Sequence, residues 1–210
     1  MKLYYSTGSC SLASRIVLEE GGVPFQAIRV NLKDKRTADG QDYTQINPKG
    51  YVPAVQLDDG EVISENAALL PFLGERNPAA NLLPPHGTIE NYRVREWTAF
   101  IGGELHKNLS PLFRPNTPEA TIQAQTELVK RRFTYINEKM GQGPYLTGSH
   151  FTVADAYLFV VLSWFGALKM NMGDYANLKA FFMRALARPA VQKALTDEGR
   201  LDAAKQLAAA

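Results

Sequence analysis

The chain of 210 residues has little cysteine and little histidine, and both shortages limit its chemistry. Its one cysteine, Cys10, has no partner for an intramolecular disulfide and no second thiol at Cys-x-x-Cys spacing. The three histidines, His86, His106 and His150, are scattered without neighbouring metal ligands. We therefore expect no bound metal, no disulfide framework and no two-thiol redox mechanism.

The sequence also lacks an excess of charge of either sign and any long apolar run. Its 23 basic and 21 acidic residues are interspersed, which excludes the electrostatic footprint of a nucleic-acid-binding protein. No apolar run approaches the roughly 20 residues that span a bilayer. Residues 1–6 contain one lysine and no apolar core of a signal peptide. These patterns predict a cytoplasmic protein with neither nucleic acid nor membrane as a partner.

The first third of the chain alternates between strand and helix patterns, within a composition that is ordinary for a globular protein, 45% apolar and 21% charged. Residues 3–5 suit a short strand, residues 12–17 carry apolar side chains at helical spacing, and residues 28–32 alternate like a half-buried strand. Residues 53–63 form a hairpin around Asp58-Asp59-Gly60. A helix then opens near Glu65. The order β-α-β, loop, β-β-α predicts a mixed four-stranded sheet.

The strand and helix patterns stop at residues 76–87. This segment is rich in proline, asparagine and glycine and is the best linker candidate. Everything afterwards has helical patterning, including apolar stripes at residues 97–105 and 129–140. We therefore divide the chain into an N-terminal α+β domain, residues 1–80, and an all-helical C-terminal domain, residues 88–210. The alanine-rich tail is expected to fray.

One helix of the second domain has the sequence pattern of a buried helix, and the N-terminus of such a helix needs a cap. Thr152 and Asp155 have the spacing of a capping box, and the residues that follow, up to Leu162, are apolar on every side. Such a helix belongs inside a bundle, where its first N–H groups need internal acceptors. We interpret Thr152 and Asp155 as folding residues, with loss of Asp155 costing about 0.5–2 kcal/mol.

Five local motifs, spread in order across most of the chain, together point to a family. They are Tyr4-Tyr5-Ser6-x-x-Ser9-Cys10-Ser11-Leu12, Asn47-Pro48-x-Gly50-x-Val52-Pro53, Ser64-Glu65-Asn66-Ala67, Glu104-Leu105-His106-Lys107 and Phe151-Thr152-x-Ala154-Asp155. This pattern resembles the glutathione transferases, and specifically their bacterial beta class. The resemblance implies a thioredoxin-like N-terminal domain, a helical-bundle C-terminal domain, glutathione as co-substrate and a homodimer.

Cys10 is the candidate catalytic residue. It falls where the first helix should begin, and the partial positive charge of a helix N-terminus favours a thiolate, so we expect a lowered pKa. Free cysteine is often an inert interior residue, but Gly8, Ser9 and Ser11 indicate an exposed polar turn. Cys10 would either form a mixed disulfide with glutathione or only donate to its bound thiolate. Tyr5, Ser9 and Ser11 are reserve donors.

The other glutathione-binding candidates come from the resemblance together with local chemistry. A cis peptide at Pro53 would let the Val52 backbone pair with the cysteinyl part of glutathione, although trans is the usual form. Glu65 would take the γ-glutamyl ammonium, while Asn66 and the helix end would take the carboxylate; an acidic helix start is also common for other reasons. Lys35 would pair with the glycyl carboxylate, its alternative being a solvated charge run.

The helical domain supplies the remaining candidates. The resemblance places His106, a second catalytic candidate, and Lys107 opposite Cys10; the alternative is a polar face near a helix C-terminus. Glu104 is the candidate for contact with the neighbouring subunit's glutathione, since Ala99 and Gly103 replace polar residues that many relatives carry. A hydrophobic substrate pocket is predicted from three aromatic residues whose commoner role is core packing: Phe113, Tyr157 and Trp164.

The sequence thus predicts a dimeric detoxification enzyme, a glutathione transferase that activates the glutathione thiol for attack on an apolar electrophile. Two alternatives remain open. One is a specialised glutathione-dependent dehalogenase or isomerase of the same fold. The other is a non-catalytic protein that uses the fold to bind ligands.

Overall fold

The computed structural model describes residues 1–209, and its N-terminal part is a mixed sheet. The strands are β1 (Lys2–Tyr5), β2 (Gln26–Asn31), β3 (Arg36–Thr37), β4 (Ala54–Gln56) and β5 (Val62–Ser64), in the order β3-β2-β1-β4-β5. β1 pairs with β2 in parallel and with β4 antiparallel. The four expected strands are present, and β3 is an addition: only two of its residues pair with β2, too few to leave an alternating pattern in the sequence.

Ten α-helices lie within the described residues. The sheet domain contains α1 (Ser11–Glu20) and α2 (Asn66–Gly74); the helical domain contains α3 (Ile89–Phe100), α4 (Lys107–Leu109), α5 (Glu119–Met140), α6 (Val153–Ser163), α7 (Phe165–Leu168), α8 (Ala176–Leu186), α9 (Pro189–Asp197) and α10 (Leu201–Ala209). A π-helix, Ile101–His106, joins α3 to α4. None of these helices combines the length and hydropathy that crossing a membrane requires.

One continuous apolar core runs through both parts of the chain, with α1 and α6 at its centre. Every residue from Ser11 to Leu18 on α1 is buried, because α1 packs against α2, α6 and α9. Every residue of α6 from Val153 to Leu162 is buried as well. The turn that opens α1, which carries Cys10, is therefore held between the sheet and the helical domain.

Candidate functional site

Cys10 lies at the turn between β1 and α1, where it is the N-cap residue of α1. Its thiol donates a hydrogen bond to the carbonyl oxygen of Val52, 3.3 Å away. The Val52–Pro53 peptide bond is cis, as the resemblance implies. Two segments 42 residues apart in sequence, the Cys10 turn and the cis-proline turn, therefore meet at the sulfur.

The protonation state of Cys10 is the opposite of the one expected. Burial raises the pKa of the thiol to about 12, and the negative charge of Glu65 adds to the rise, while the backbone hydrogen bond at the helix start opposes it. The favourable helix-start effect exists, but desolvation outweighs it because the turn is packed between two domains. The expectation of a lowered pKa is therefore wrong for the ligand-free chain. Cys10 rests as a neutral thiol and a hydrogen-bond donor.

This protonation state predicts slow alkylation of Cys10. Only the thiolate reacts, so with a pKa of about 12 roughly one molecule in 10⁵ is reactive at pH 7. The rate with iodoacetamide should be well below that of the same chain unfolded in denaturant, and it should still be rising above pH 10. A plateau near pH 7 would show a lowered pKa and contradict this assignment.

Gly8, two residues before Cys10, is fixed by the helical domain from both sides. Its N–H donates to Glu198 Oε2 at 2.8 Å, and its carbonyl oxygen accepts from the indole nitrogen of Trp164 at 3.0 Å. Gly8 has φ +70°, a conformation that disfavours residues with a Cβ. Sequence reasoning missed Glu198, which lies 190 residues from Gly8 and has no motif around it. The reserve donor Ser11 is buried and bonds within the turn, to Ser6 and Ser9.

Internal hydrogen bonds also brace the cis-proline turn. The carbonyl oxygen of Tyr51 accepts from the Tyr43 hydroxyl at 2.7 Å and from Asn47 Nδ2 at 2.8 Å. Lys35 Nζ donates to the carbonyl oxygen of Gly50 at 2.9 Å. The structure thus places Lys35 beside the turn that contains Val52, within one continuous region with Cys10.

Glu65 stands at the start of α2, with its side chain 64% exposed and its backbone at φ +70°. Its carboxylate forms an ion pair with Lys49, 3.1 Å away, and Lys49 also donates to the hydroxyl of Ser64 at 3.0 Å. An amine thus already lies where the γ-glutamyl ammonium of glutathione is expected to bind. Sequence analysis did not identify Lys49, which only the fold brings to Glu65.

The side chain of Asn66 points into the protein. It is buried, its amide nitrogen donates to the carbonyl oxygen of Cys10 at 3.1 Å, and its oxygen accepts from Ser14 Oγ at 3.2 Å. The expectation that this side chain meets a ligand carboxylate therefore needs correction, because both ends of the amide are engaged inside. The backbone N–H groups that open α2 remain the anion-binding feature at this point.

In the helical domain, the regular helix predicted through Leu105 widens into the π-helix Ile101–His106. Its last residue, His106, places Nδ1 2.7 Å from the hydroxyl oxygen of Tyr157, and its ring lies 5.0 Å from that of Trp164. Burial lowers the pKa of His106, the charge of Lys107 lowers it further, and Glu65 opposes both. His106 is therefore a neutral imidazole at pH 7.

The three predicted pocket residues lie together but differ in accessibility. Tyr157 is 2% exposed and Trp164 8%, whereas Phe113 is 47% exposed and meets the edge of Trp164 with ring centres 5.8 Å apart. Phe113 is thus the member that a ligand can contact most freely. Tyr157 is buried, and its hydroxyl forms a hydrogen bond with His106.

The remaining candidates of the helical domain are Lys107, Glu104 and the position of Gly103. Lys107 is exposed, and Glu104 forms an ion pair with Arg132 of its own chain at 2.8 Å. Gly103 has open space around the position of a Cβ. Within residues 1–209, no three His, Cys, Asp or Glu side chains come together as a metal site requires.

Asn66 contacts the Cys10 turn from the sheet domain, and a chain of contacts reaches the same turn from the helical domain: Tyr157 to His106, His106 to Trp164 and Trp164 to Gly8. The region contains neutral donors, a thiol and an imidazole, beside a cis-proline turn and a helix N-terminus. Such an arrangement stabilises a bound anionic sulfur better than it generates a protein thiolate.

Comparisons with known proteins agree with this geometry. Residues 7–76 match the family model "Glutathione S-transferase, N-terminal domain", and residues 100–189 match "Glutathione S-transferase, C-terminal domain". The glutathione S-transferase GstA of Escherichia coli O157:H7 is 45% identical, and the alignment covers 95% of this chain and 99% of the relative.

Two solved structures extend the likeness to three dimensions. A sphingomonad glutathione S-transferase complexed with glutathione has a TM-score of 0.92 and 39% identity, with 95% and 99% of the two chains covered. The beta-class glutathione S-transferase of Sphingomonas chungbukensis has a TM-score of 0.92 and 40% identity, with 95% and 100% covered. The chain is therefore a glutathione transferase whose relatives include the bacterial beta class.

Proposed function

We propose that this glutathione transferase binds glutathione along the edge of its sheet domain, with the tripeptide's sulfur between the Cys10 thiol and His106. The observation that carries the proposal is the hydrogen bond from Cys10 to Val52 at the cis-proline turn. This bond supports the proposal because a bound sulfur anion would compete with the Val52 carbonyl for the same thiol donor, where the two turns meet. The substrate sulfur and the protein sulfur would then share this region.

Binding would use contacts at both ends of the tripeptide and at its central cysteinyl residue. Glu65 accepts from the γ-glutamyl ammonium, the start of α2 holds the neighbouring carboxylate, and the backbone of Val52 pairs with the cysteinyl residue. Lys35, held beside Gly50, reaches the glycyl carboxylate. Lys49 leaves Glu65 when the substrate ammonium arrives, because both amines compete for one carboxylate.

Catalysis would follow from deprotonating glutathione rather than Cys10. A neutral thiol and a neutral imidazole both donate to a sulfur anion, and each donor favours the glutathione thiolate over its thiol. The glutathione proton passes to solvent water, and the thiolate then attacks the carbon of an electrophile held beside it and displaces the leaving group, such as chloride from an aryl chloride. Phe113 on the Trp164 edge offers an apolar wall, so the electrophile class is apolar. Of the two roles considered for Cys10, donation fits this environment and covalent attack does not.

We also propose a cytoplasmic homodimer. Exposed aromatic side chains on α3 and α5, Tyr92 (55%) and Tyr135 (43%), together with Tyr51 (66%) beside the cis-proline turn, suit coverage by a second copy. Glu104 is paired within its own chain and so would not reach the second subunit's glutathione unless it left Arg132.

A pair of substitutions at Cys10 tests the proposal. Cys10→Ala removes the donor and should lower kcat/KM for conjugation of an activated aryl chloride about 10-fold, since a hydrogen bond to a charged group contributes about 1.5–3 kcal/mol and a thiol is a weak donor. Cys10→Ser keeps a donor and should retain most of the wild-type rate. The pKa of bound glutathione, followed by thiolate absorbance, should rise in Cys10→Ala alone.

Three other results would point to a different role for Cys10 or a different function for the protein. Equal inactivity of the serine and alanine variants, with a mixed disulfide trapped on the wild type, would show covalent attack by Cys10. Glutathione binding without turnover of aryl chlorides, halogenated or unsaturated substrates would favour the ligand-binding alternative. Identical kinetics in all three proteins would remove Cys10 from the mechanism.

A further inference from the structure

Within residues 1–209, Tyr157 is the one buried hydroxyl that a hydrogen bond joins to a candidate catalytic side chain. It lies on α6, 51 residues from His106, and its hydroxyl oxygen is 2.7 Å from His106 Nδ1. The two rings meet edge to face with centres 6.0 Å apart. A Cβ on Gly102, inside the π-helix that carries His106, would lie 3.6 Å from the Tyr157 ring. Tyr157 thus lies against the His106 ring and beside the π-helix that carries it.

We propose that Tyr157 is a positioning residue for His106: its hydroxyl donates to Nδ1 and so holds the proton of the neutral imidazole on Nε2, the nitrogen left to donate to the substrate sulfur. The consequence for catalysis rests on the function proposed above. The consequence for the histidine tautomer does not, because it follows from the 2.7 Å contact together with the burial of the Tyr157 hydroxyl.

The surroundings of Tyr157 decide which partner donates. Tyr157 is 2% exposed, so its hydroxyl proton needs an acceptor inside the protein. Among residues 1–209, Nδ1 of His106 is the one hydrogen-bond partner of this hydroxyl. Burial also raises the pKa of Tyr157, so the hydroxyl keeps its proton and directs it to His106.

The reverse direction of this bond leaves a buried donor unpaired. If Nδ1 carried the proton and donated to the Tyr157 oxygen, the buried hydroxyl proton would have no acceptor among residues 1–209. An unsatisfied buried donor is costly, so the contact favours the proton on Nε2.

The test is the tautomer of His106 in Tyr157→Phe, which removes one oxygen and keeps the ring. In ¹⁵N-labelled protein at pH 7.5, imidazole shifts of the wild type should show His106 with its proton on Nε2, assigned by the loss of its signals in His106→Gln. Tyr157→Phe should show a mixture of tautomers, and its kcat should fall about 5- to 10-fold, as expected for one lost hydrogen bond, with KM for glutathione unchanged.

Tyr175→Phe is the matched control, since Tyr175 is a buried tyrosine of the helical domain that packs on Phe133 and Phe165. It should change neither the tautomer nor kcat. An unchanged tautomer in Tyr157→Phe, or an unchanged kcat, would overturn the proposal. A tautomer shift in a protein that does not bind glutathione would instead remove the proposed function and leave the assignment of the tautomer intact.

Discussion

Glu65→Gln should raise KM for glutathione about 10- to 100-fold and leave kcat nearly unchanged, because a hydrogen bond to a charged partner contributes about 1.5–3 kcal/mol. Gln keeps the shape of the side chain but cannot neutralise an ammonium. The effect falls on KM since the γ-glutamyl end is remote from the reacting sulfur and is bound equally in ground and transition states. Calorimetric titration of glutathione should show the same loss of affinity.

Glu61→Gln is the control for this variant. Glu61 is also an exposed glutamate, on the turn between β4 and β5, and it lies outside the candidate site. Its variant should bind glutathione like the wild type. If Glu65→Gln also binds normally, the γ-glutamyl group is held elsewhere and the proposed binding direction is wrong.

Asp155→Ala should lower the free energy of unfolding by about 2–4 kcal/mol, more than an ordinary cap, because several buried donors lose one acceptor. Asp155 Oδ2 accepts from the Thr152 N–H at 2.9 Å and its hydroxyl at 2.6 Å, and Oδ1 accepts from the Leu146 N–H at 2.9 Å. The carboxyl group thus starts α6 and also fixes the preceding loop. Urea unfolding at matched protein concentration measures the loss.

Asp202→Ala provides the comparison, since Asp202 lies in the first turn of α10 but is exposed. Its cost should stay within about 0.5 kcal/mol. If Asp155→Ala were equally mild, the three donors would have found other acceptors, and α6 would not depend on this cap.

The fold and the position of Cys10 follow from local patterns in the sequence. The alternation in residues 28–32, the hairpin at Asp58-Asp59-Gly60 and the capping box at Thr152 each involve neighbours within a few residues. Local geometry determines such elements, so periodicity and turn chemistry predict them. The sequence did not predict strand β3, because a strand of two residues is too short to show a periodic pattern.

The electrostatics of the site, unlike these local elements, could not be predicted from neighbouring residues in the sequence. The pKa of Cys10 depends on how closely the Val52 turn and the helical domain pack around it, and the helix-start argument contains no desolvation. Asn66, Tyr157 and Glu198 act through partners 51 to 190 residues away. A single sequence gives no signal for contacts of that range, so Tyr157 could be predicted only as a pocket or core aromatic.

A crystal structure of the glutathione complex tests the central claim most directly, since it locates the substrate sulfur. We expect that sulfur within hydrogen-bonding distance of Cys10 Sγ, with no bond between them, and the γ-glutamyl ammonium on Glu65 in place of Lys49. Glutathione bound with its sulfur away from Cys10, or Cys10 still donating to Val52 beside an occupied site, would contradict the account.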